Sequence, residues 1–581
     1  MAWHPPPRGP RRPLGLMVAL LVYGLLALMT IRDMGVVGEV AQSWQTGRAG
    51  AVVVGTDPLL WSDGAAIQTA GHTLGPLIAS QSRPIETLEI FGLALPLAVN
   101  QYTGGPPDWP ARLLVALTGS TAAPVVLHVL LGALLIVLVH RFLRFHGTDI
   151  AATVAALVLA TDWGFHFYRK ALGGTEILLQ AAVLLCLWAL WSRRWAGGRH
   201  GLTALGIGLG LGVMAKLTFV LSFLALGLAA LGLRNDKPPL RPPLPARPWM
   251  PLLWVVLLIS PLMVAALHHA LAVPATPHIV SHDFVQMQLS RVMNALSGGA
   301  SQERESIAAL WAWLGDPSLF LKTAWGAQVE TRWHSDLLES GDQLRWLGWG
   351  LVGLGVLGAW RDRHPTPHLA LLRLTSVLLV LQVALLWGVA KDMHHLAMAT
   401  PIAAIVAGLA LDTLMASFTP PRSPVRAGVC LLLATPWMLA GGMALMRTDA
   451  ALETIPRPTV TQSGQSAIVD LLESNNVQRV MVIDYDLAGV LEPQLPGVEV
   501  IHGWGLASQM RKKALAPLLG LVEGGHLLVV PGAPAWRYNL KPRMQAVQAA
   551  ASSAGLEAEE ADRLPDGGAV LYALSRREGS P

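Results

Sequence analysis

What constrains this chain most is the spacing of its apolar runs. Segments near 14–31, 121–140, 149–166, 174–192, 201–217, 218–233, 249–270, 345–360, 368–390, 396–416 and 425–447 read as membrane spans. A helix crosses the hydrocarbon core of a bilayer in about 20 residues, sometimes fewer. Within 201–233 the division falls at Lys216, because a lysine is costly at mid-membrane and is better placed at a turn between two spans. The first run follows "RGPRRP" and has no clear small-x-small cleavage site, so it reads as an anchor rather than a signal peptide. With 53% hydrophobic and 14% charged residues among 581, the composition is that of a polytopic helical membrane protein of about 11 spans.

Charge fixes the expected orientation. If the N-terminus is inside, the internal segments carry Arg8, Arg11 and Arg12, then Arg141 and Arg144, then Arg193, Arg194 and Arg199. They continue with Arg234, Lys237, Arg241 and Arg247, then Arg361 and Arg363, then Arg422 and Arg426. That is the positive-inside pattern at every internal turn, and it places the C-terminal tail outside. The same pattern explains the net charge of +5, which gives no reason to expect a nucleic-acid partner. The two cysteines, Cys186 and Cys430, lie in apolar runs, which argues against a disulfide framework or a zinc cluster.

The division expected is a membrane domain over 1–449, with outer loops 32–120 and 271–344, and an extracytoplasmic domain over 450–581. In the second loop, 283–296, 302–314 and 317–332 have helical apolar spacing and tryptophans, as helices lying in the interface do. In the tail, "RVMVIDYD", "VEVIHGW", "HLLVVPG" and "AVLYALSR" read as short strands. They alternate with helical stretches 463–475, 505–520 and 541–554, which predicts a small α/β domain. No G-x-G-x-x-G follows its first strand, so a dinucleotide role has no support. Asp484 and Asp486 at that strand's end read as solvated carboxylates rather than metal ligands. Paired broken helices of the inverted-repeat kind, the mark of many transporters, are not evident.

Polar residues gather where the spans emerge on the outer face. Asp33 and Glu39 follow the first span; Asp162, His166, Arg169, Lys170 and Glu176 occupy the turn "TDWGFHFYRKALGGTE". Lys216 marks the end of the fifth span, and "KDMHH", with Lys391, His394 and His395, precedes the tenth. Carboxylates and cations in one outer cavity suit transfer of a lipid-linked sugar. Cations hold and stabilise the phosphate as it leaves, and a carboxylate takes the acceptor's proton.

Four stretches resemble the GT-C class of integral membrane glycosyltransferases, which includes protein mannosyltransferases and the aminoarabinose transferase of lipid A. They are "IRDMGVVGEVAQSW", "LVLATDWGFHFYRKALGGTEILLQAAVLLCLWAL", "LGIGLGLGVMAKLTFVL" and "DMHHLAMATPIAAIVAGLAL", and together they extend over 14–416. The resemblance implies sugar transfer from a polyprenyl-phosphate-linked donor to a glycan, lipid or protein acceptor. It implies a site outside the membrane, in a multi-pass protein of the bacterial inner membrane with a cytoplasmic N-terminus. Asp33 matches the first-loop acidic position, which in that class is the catalytic base or a metal ligand. The class commonly has adjacent acidic residues there, whereas the next carboxylate here is Glu39, six positions on.

Asp162 is then the second catalytic candidate. Glu39, Arg169, Lys170, Glu176, Lys216, Lys391, His394 and His395 are candidates for substrate binding. No cofactor is called for, and a divalent metal, which a carboxylate pair would bind, stays open. Each residue also has a plainer reading. Asp33 has the plainer reading of a solvated interface residue, Glu39 that of part of an ordinary amphipathic turn, and Arg169 and Lys170 that of cations snorkelling to headgroups. Lys216 reads as the partner of a carboxylate inside the bundle, and Glu176 as that of Arg169 or Lys170. His394 and His395 are adjacent and lack zinc-ligand spacing. The alternatives to an enzyme are a non-catalytic membrane scaffold acting through its outer domain, or a transporter.

Overall fold

The computed structural model describes residues 14–29, 52–53, 86–90, 93–98, 106–118, 122–171, 174–192, 201–216, 218–233, 252–261, 263, 337–362, 366–390, 396–416, 418–419, 424–454 and 462–483. In the C-terminal part it also describes 487, 491, 494–495, 497–502, 524–529, 551–552, 555–565 and 569–576. The expected interfacial helices at 283–296, 302–314 and 317–332 lie outside these residues, as do Asp484, Asp486 and the stretches 505–520 and 541–550.

The apolar runs form helices α1 (Leu14–Met29), α3 (Ala122–His146), α4 (Asp149–Thr161), α6 (Gly174–Trp191), α7 (Gly201–Ala215) and α8 (Phe219–Gly232). They continue with α9 (Leu252–Pro261), α10 (Leu337–Arg361), α11 (Pro367–Ala390), α12 (Thr400–Ala416) and α13 (Pro424–Thr454). Two short helices lie outside that series, α2 (Trp109–Thr118), after a 3-10 turn at Pro106–Asp108, and α5 (Trp163–Ala171). Four stretches among them are long and apolar enough to cross a membrane alone: Ala123–His146, Pro367–Trp387, Ala397–Ala416 and Pro424–Met446. The run at 201–233 is two helices meeting at Lys216–Thr218, and the run at 149–166 breaks at Asp162.

Burial follows composition. On α3, Val126, Leu130 and Leu134 are exposed at helical spacing, while Leu135, Ile136, Val139 and Phe142 are buried. An apolar outer face with no protein against it is what lipid covers. By contrast α12 is buried over nearly all its length, which makes it the central helix, packed against α4, α10, α11 and α13. Its small residues permit this. A Cβ on Gly408 would run into the Ala151 carbonyl oxygen of α4, so close approach of the two backbones needs glycine there.

One polar hub ties the core together, at the ends of helices expected to face inward. Asp412, fully buried, accepts from Thr148 Oγ1 at 2.7 Å and from Arg426 Nε at 2.8 Å. Arg426 Nη2 also donates to the Asp412 carbonyl oxygen at 2.8 Å. Thr148 is in turn the N-cap of α4, accepting from the Ala151 amide at 3.0 Å. One carboxylate thus links α4, α12 and α13, and His368 of α11 stands 3.9 Å away.

The tail contributes α14 (Gln462–Ser474), β4 (Arg479–Ile483), β5 (Glu499–His502), β6 (His526–Val529), β7 (Leu556–Arg563) and β8 (Val570–Arg576). The segment between α1 and α2 supplies β1 (Val52–Val53) and the hairpin β2 (Glu86–Ile90) and β3 (Leu93–Ala98). A six-stranded sheet runs β1-β5-β4-β6-β8-β7, parallel across its first four strands and antiparallel at β8 and β7. Val480, Val482, Leu528 and Leu571 share its core with Ile468 and Leu472 of α14. The four expected strands are present. The sheet also holds two that the sequence reading passed over, β7 and the strand from residues 52–53. The last long helix runs to Thr454, past the expected boundary at 449.

Candidate functional site

Asp162 sits where α4 stops. Its side-chain Oδ1 accepts the Phe165 amide at 2.8 Å, so it caps the start of α5 as a helix N-terminus requires. Its carbonyl oxygen accepts the His166 amide at 3.2 Å. The other carboxylate oxygen faces Arg345 of α10 at 3.7 Å, with both side chains buried. A cavity of about 10 Å³, room for roughly one water, lies between them, lined also by Val158, Trp349, Thr400 and Trp437. Asp162 therefore joins α4, α5 and α10, and both its oxygens are engaged from within the protein.

Along α5, His166 Nε2 lies 2.8 Å from the Ala160 carbonyl oxygen. The His166 ring packs on Tyr23 of α1, centroids 4.9 Å apart, and Tyr23 donates to the Val129 carbonyl oxygen of α3 at 3.1 Å. One turn further, the Arg169 guanidinium lies 5.6 Å from the Tyr23 ring centroid, within cation–π range. Arg169 is 4% exposed, and among the described residues its Nε and Nη1 have no hydrogen-bond partner. Lys170 belongs to α5, and its side chain lies outside the described residues.

Glu176 opens α6 and Lys216 follows α7; they pair at 3.6 Å, each 2% exposed. Glu176 thus has Lys216 as its partner, where the sequence pointed equally to Arg169 or Lys170. One turn on, Gln180 donates to the Ala397 carbonyl oxygen at 2.8 Å. That bond ties the N-terminal end of α6 to the 3-10 turn at Ala397–Ala399, which follows "KDMHH" and Leu396. The structure therefore gathers Glu176, Gln180 and Lys216 at one end of the bundle. Asp33, Glu39, Lys391, His394 and His395 lie outside the described residues.

The reading from sequence missed Arg112. It lies on α2 and is 0% exposed, and among the described residues none of its three guanidinium nitrogens has a hydrogen-bond partner. One signal was available: a lone arginine in the apolar segment "WPARLLVALT", in an outer loop where topology asks for none. Among the described residues, no group of three or more His, Cys, Asp or Glu side chains is placed to hold a metal.

Residues 106–264 match the family model of dolichyl-phosphate-mannose-protein mannosyltransferase. ArnT from Cupriavidus metallidurans, solved in the apo state, is similar over 96% of this chain and 97% of its own, with a TM-score of 0.51 and 13% identity. The archaeal oligosaccharyltransferase AglB from Archaeoglobus fulgidus, in complex with an inhibitory peptide and a dolichol-phosphate, has a TM-score of 0.46. It is 13% identical over 98% of this chain and 74% of its own. No curated protein matches the sequence at a significant level. The chain is a multi-pass membrane protein with the fold of the GT-C class, similar over residues 106–264 to the protein mannosyltransferase family.

Proposed function

We propose that this protein moves a sugar, a hexose or a pentose, from a polyprenyl-phosphate-linked donor to an acceptor at the outer face of the bacterial inner membrane. The observation that supports this most is the family match over 106–264, which covers α2 through α9 on a GT-C fold. In this reading Asp33 removes the proton from the acceptor hydroxyl as that oxygen attacks the anomeric carbon. The bond from that carbon to the phosphate oxygen breaks on the opposite side, its electron pair leaves with the phosphate, and configuration inverts. Arg169, Lys170 and Lys391 hold the donor phosphate. Glu176 and Lys216 shape the same outer end of the bundle through their pair, and Asp162 positions α5. Residues 1–449 form the transfer domain, with a cytoplasmic N-terminus, and 450–581 an extracytoplasmic domain that borrows a strand from the first loop.

The acceptor is a glycan, a lipid or a protein at that surface. Asp33→Asn abolishes transfer while leaving expression and membrane insertion intact; an Asp33→Asn protein that transfers at the wild-type rate removes Asp33 from the chemistry. The engagement of Asp162 with Arg345 favours one second reading, a scaffold that keeps the fold without catalysis and acts through its outer domain. Under that reading the wild-type protein itself transfers no sugar.

A further inference from the structure

Helix α1 meets the rest of the bundle through very little. Of its 16 residues only Ala19 and Tyr23, one turn apart, are buried, while Leu14, Met17, Leu21, Leu25 and Leu28 are exposed. Tyr23 is also the one aromatic residue and the one hydroxyl in "LGLMVALLVYGLLALM". As an apolar filler a tyrosine is a poor choice there, since leucine would pack without a buried hydroxyl to satisfy.

Its ring sits at a junction of three helices. The hydroxyl donates to the Val129 carbonyl oxygen of α3 at 3.1 Å. The ring lies beside Phe165 and His166 of α5, with centroids 5.7 and 4.9 Å away. The Arg169 guanidinium carbon, also on α5, lies over it at 5.6 Å from the centroid. Gly132 of α3 completes the fit. A Cβ there would run into the Tyr23 hydroxyl and come within 3.0 Å of Arg169 Cδ, so both side chains press on the same stretch of bare backbone.

This contact spares the hydrogen-bond donors of the arginine. A cation–π interaction is made to the ring face and consumes no N–H group. Among the described residues, Nε and Nη1 of Arg169 have no hydrogen-bond partner. A carboxylate in place of the ring would have neutralised the charge and taken those donors.

We infer that Tyr23 is a positioning residue for transfer. Its ring holds the Arg169 guanidinium in fixed register with α1, which ends four residues before Asp33. This rests on the transferase reading above, in which Arg169 holds the donor phosphate and Asp33 takes the acceptor's proton, and it adds the residue that sets one relative to the other. Base and leaving phosphate act on opposite sides of the anomeric carbon, so the spacing of α1 and α5 decides whether both reach the same sugar. One ring sets that spacing.

The test uses the full-length protein in nanodiscs, with the lipid extract of cells lacking the protein as donor and their membranes as acceptor. Tyr23→Leu should raise the donor concentration for half-maximal rate about tenfold and lower the maximal rate. A merely structural loss lowers the maximal rate alone. Tyr23→Phe keeps the ring and loses the bond to Val129, so it should melt below the wild type yet recover most of the donor affinity. Wild-type half-saturation in Tyr23→Leu, or a Tyr23→Phe as impaired as Tyr23→Leu, overturns the assignment. The contact itself is read without transfer: Tyr23→Leu and Arg169→Met should shift the melting temperature non-additively. Additive shifts overturn the contact. Non-additive shifts in a protein whose wild type transfers no sugar mean that the transferase reading has failed and the contact has not.

Discussion

The pair between Glu176 and Lys216 decides whether Lys216 belongs to substrate or to the bundle. At 3.6 Å, with both side chains 2% exposed, an effective dielectric constant of 20 gives an attraction of roughly 4–5 kcal/mol. Removing one partner takes from the other buried charge its opposite at 3.6 Å, at a cost of about 3–5 kcal/mol. Lys216→Met should therefore lower stability by about that amount, and Glu176→Gln by a similar one. The double variant should recover most of the loss, because no buried charge is then left unpaired. The assay is a double-mutant cycle of unfolding in mixed micelles, followed by a probe of helix content, at fixed detergent composition. Two single losses that simply add, within about 0.5 kcal/mol, would mean that the charges do not stabilise one another. The structural account of Lys216 would then be wrong, and the phosphate-binding reading would gain.

Two further outcomes follow from the same physics elsewhere in the chain. Asp412→Ala strips Thr148 and Arg426 of their shared acceptor and should cost about 3–5 kcal/mol of stability, read as a lower melting temperature in detergent. In the C-terminal sheet, burial lowers the His526 imidazole below its ordinary value of 6.5. The unfolded chain then takes up this proton more readily than the folded one, so the stability it contributes is intact above pH 6.5 and falls as the pH drops toward the lower folded value. His526→Leu should flatten that acid loss in melting curves of the full-length protein between pH 5 and 7.5.

The apolar helices were legible because each run is its own signal. About 20 apolar residues between arginine-bearing turns identify a helix without reference to anything distant, and Lys216 marks its break for the same local reason. Partners were not legible. Asp162 finds Arg345 and Asp412 finds Thr148 across separations that no period in the sequence encodes. Tertiary packing alone brings them together.

The strands divide similarly. β4, β5, β6 and β8 are rich in β-branched and apolar residues and announce themselves. "LEAEEADR" is an edge strand, mostly exposed; its charge suits an edge and hides it from a reading based on hydrophobicity. Val52–Val53 is too short to read as a strand until β5 is there to pair with it. Arg112 was passed over because a single arginine in a long loop carries no motif, and its meaning comes only from burial without a partner.

The central claim is that the protein consumes a lipid-linked sugar. Membranes from cells with and without the protein, extracted and analysed for polyprenyl-phosphate-linked sugars and for envelope glycans, test it most directly. The account predicts that loss of the protein raises one lipid-linked sugar and removes that sugar from one envelope acceptor, with the wild type but not Asp33→Asn restoring both. Identical lipid-linked sugars and identical glycans in the two membranes would contradict it.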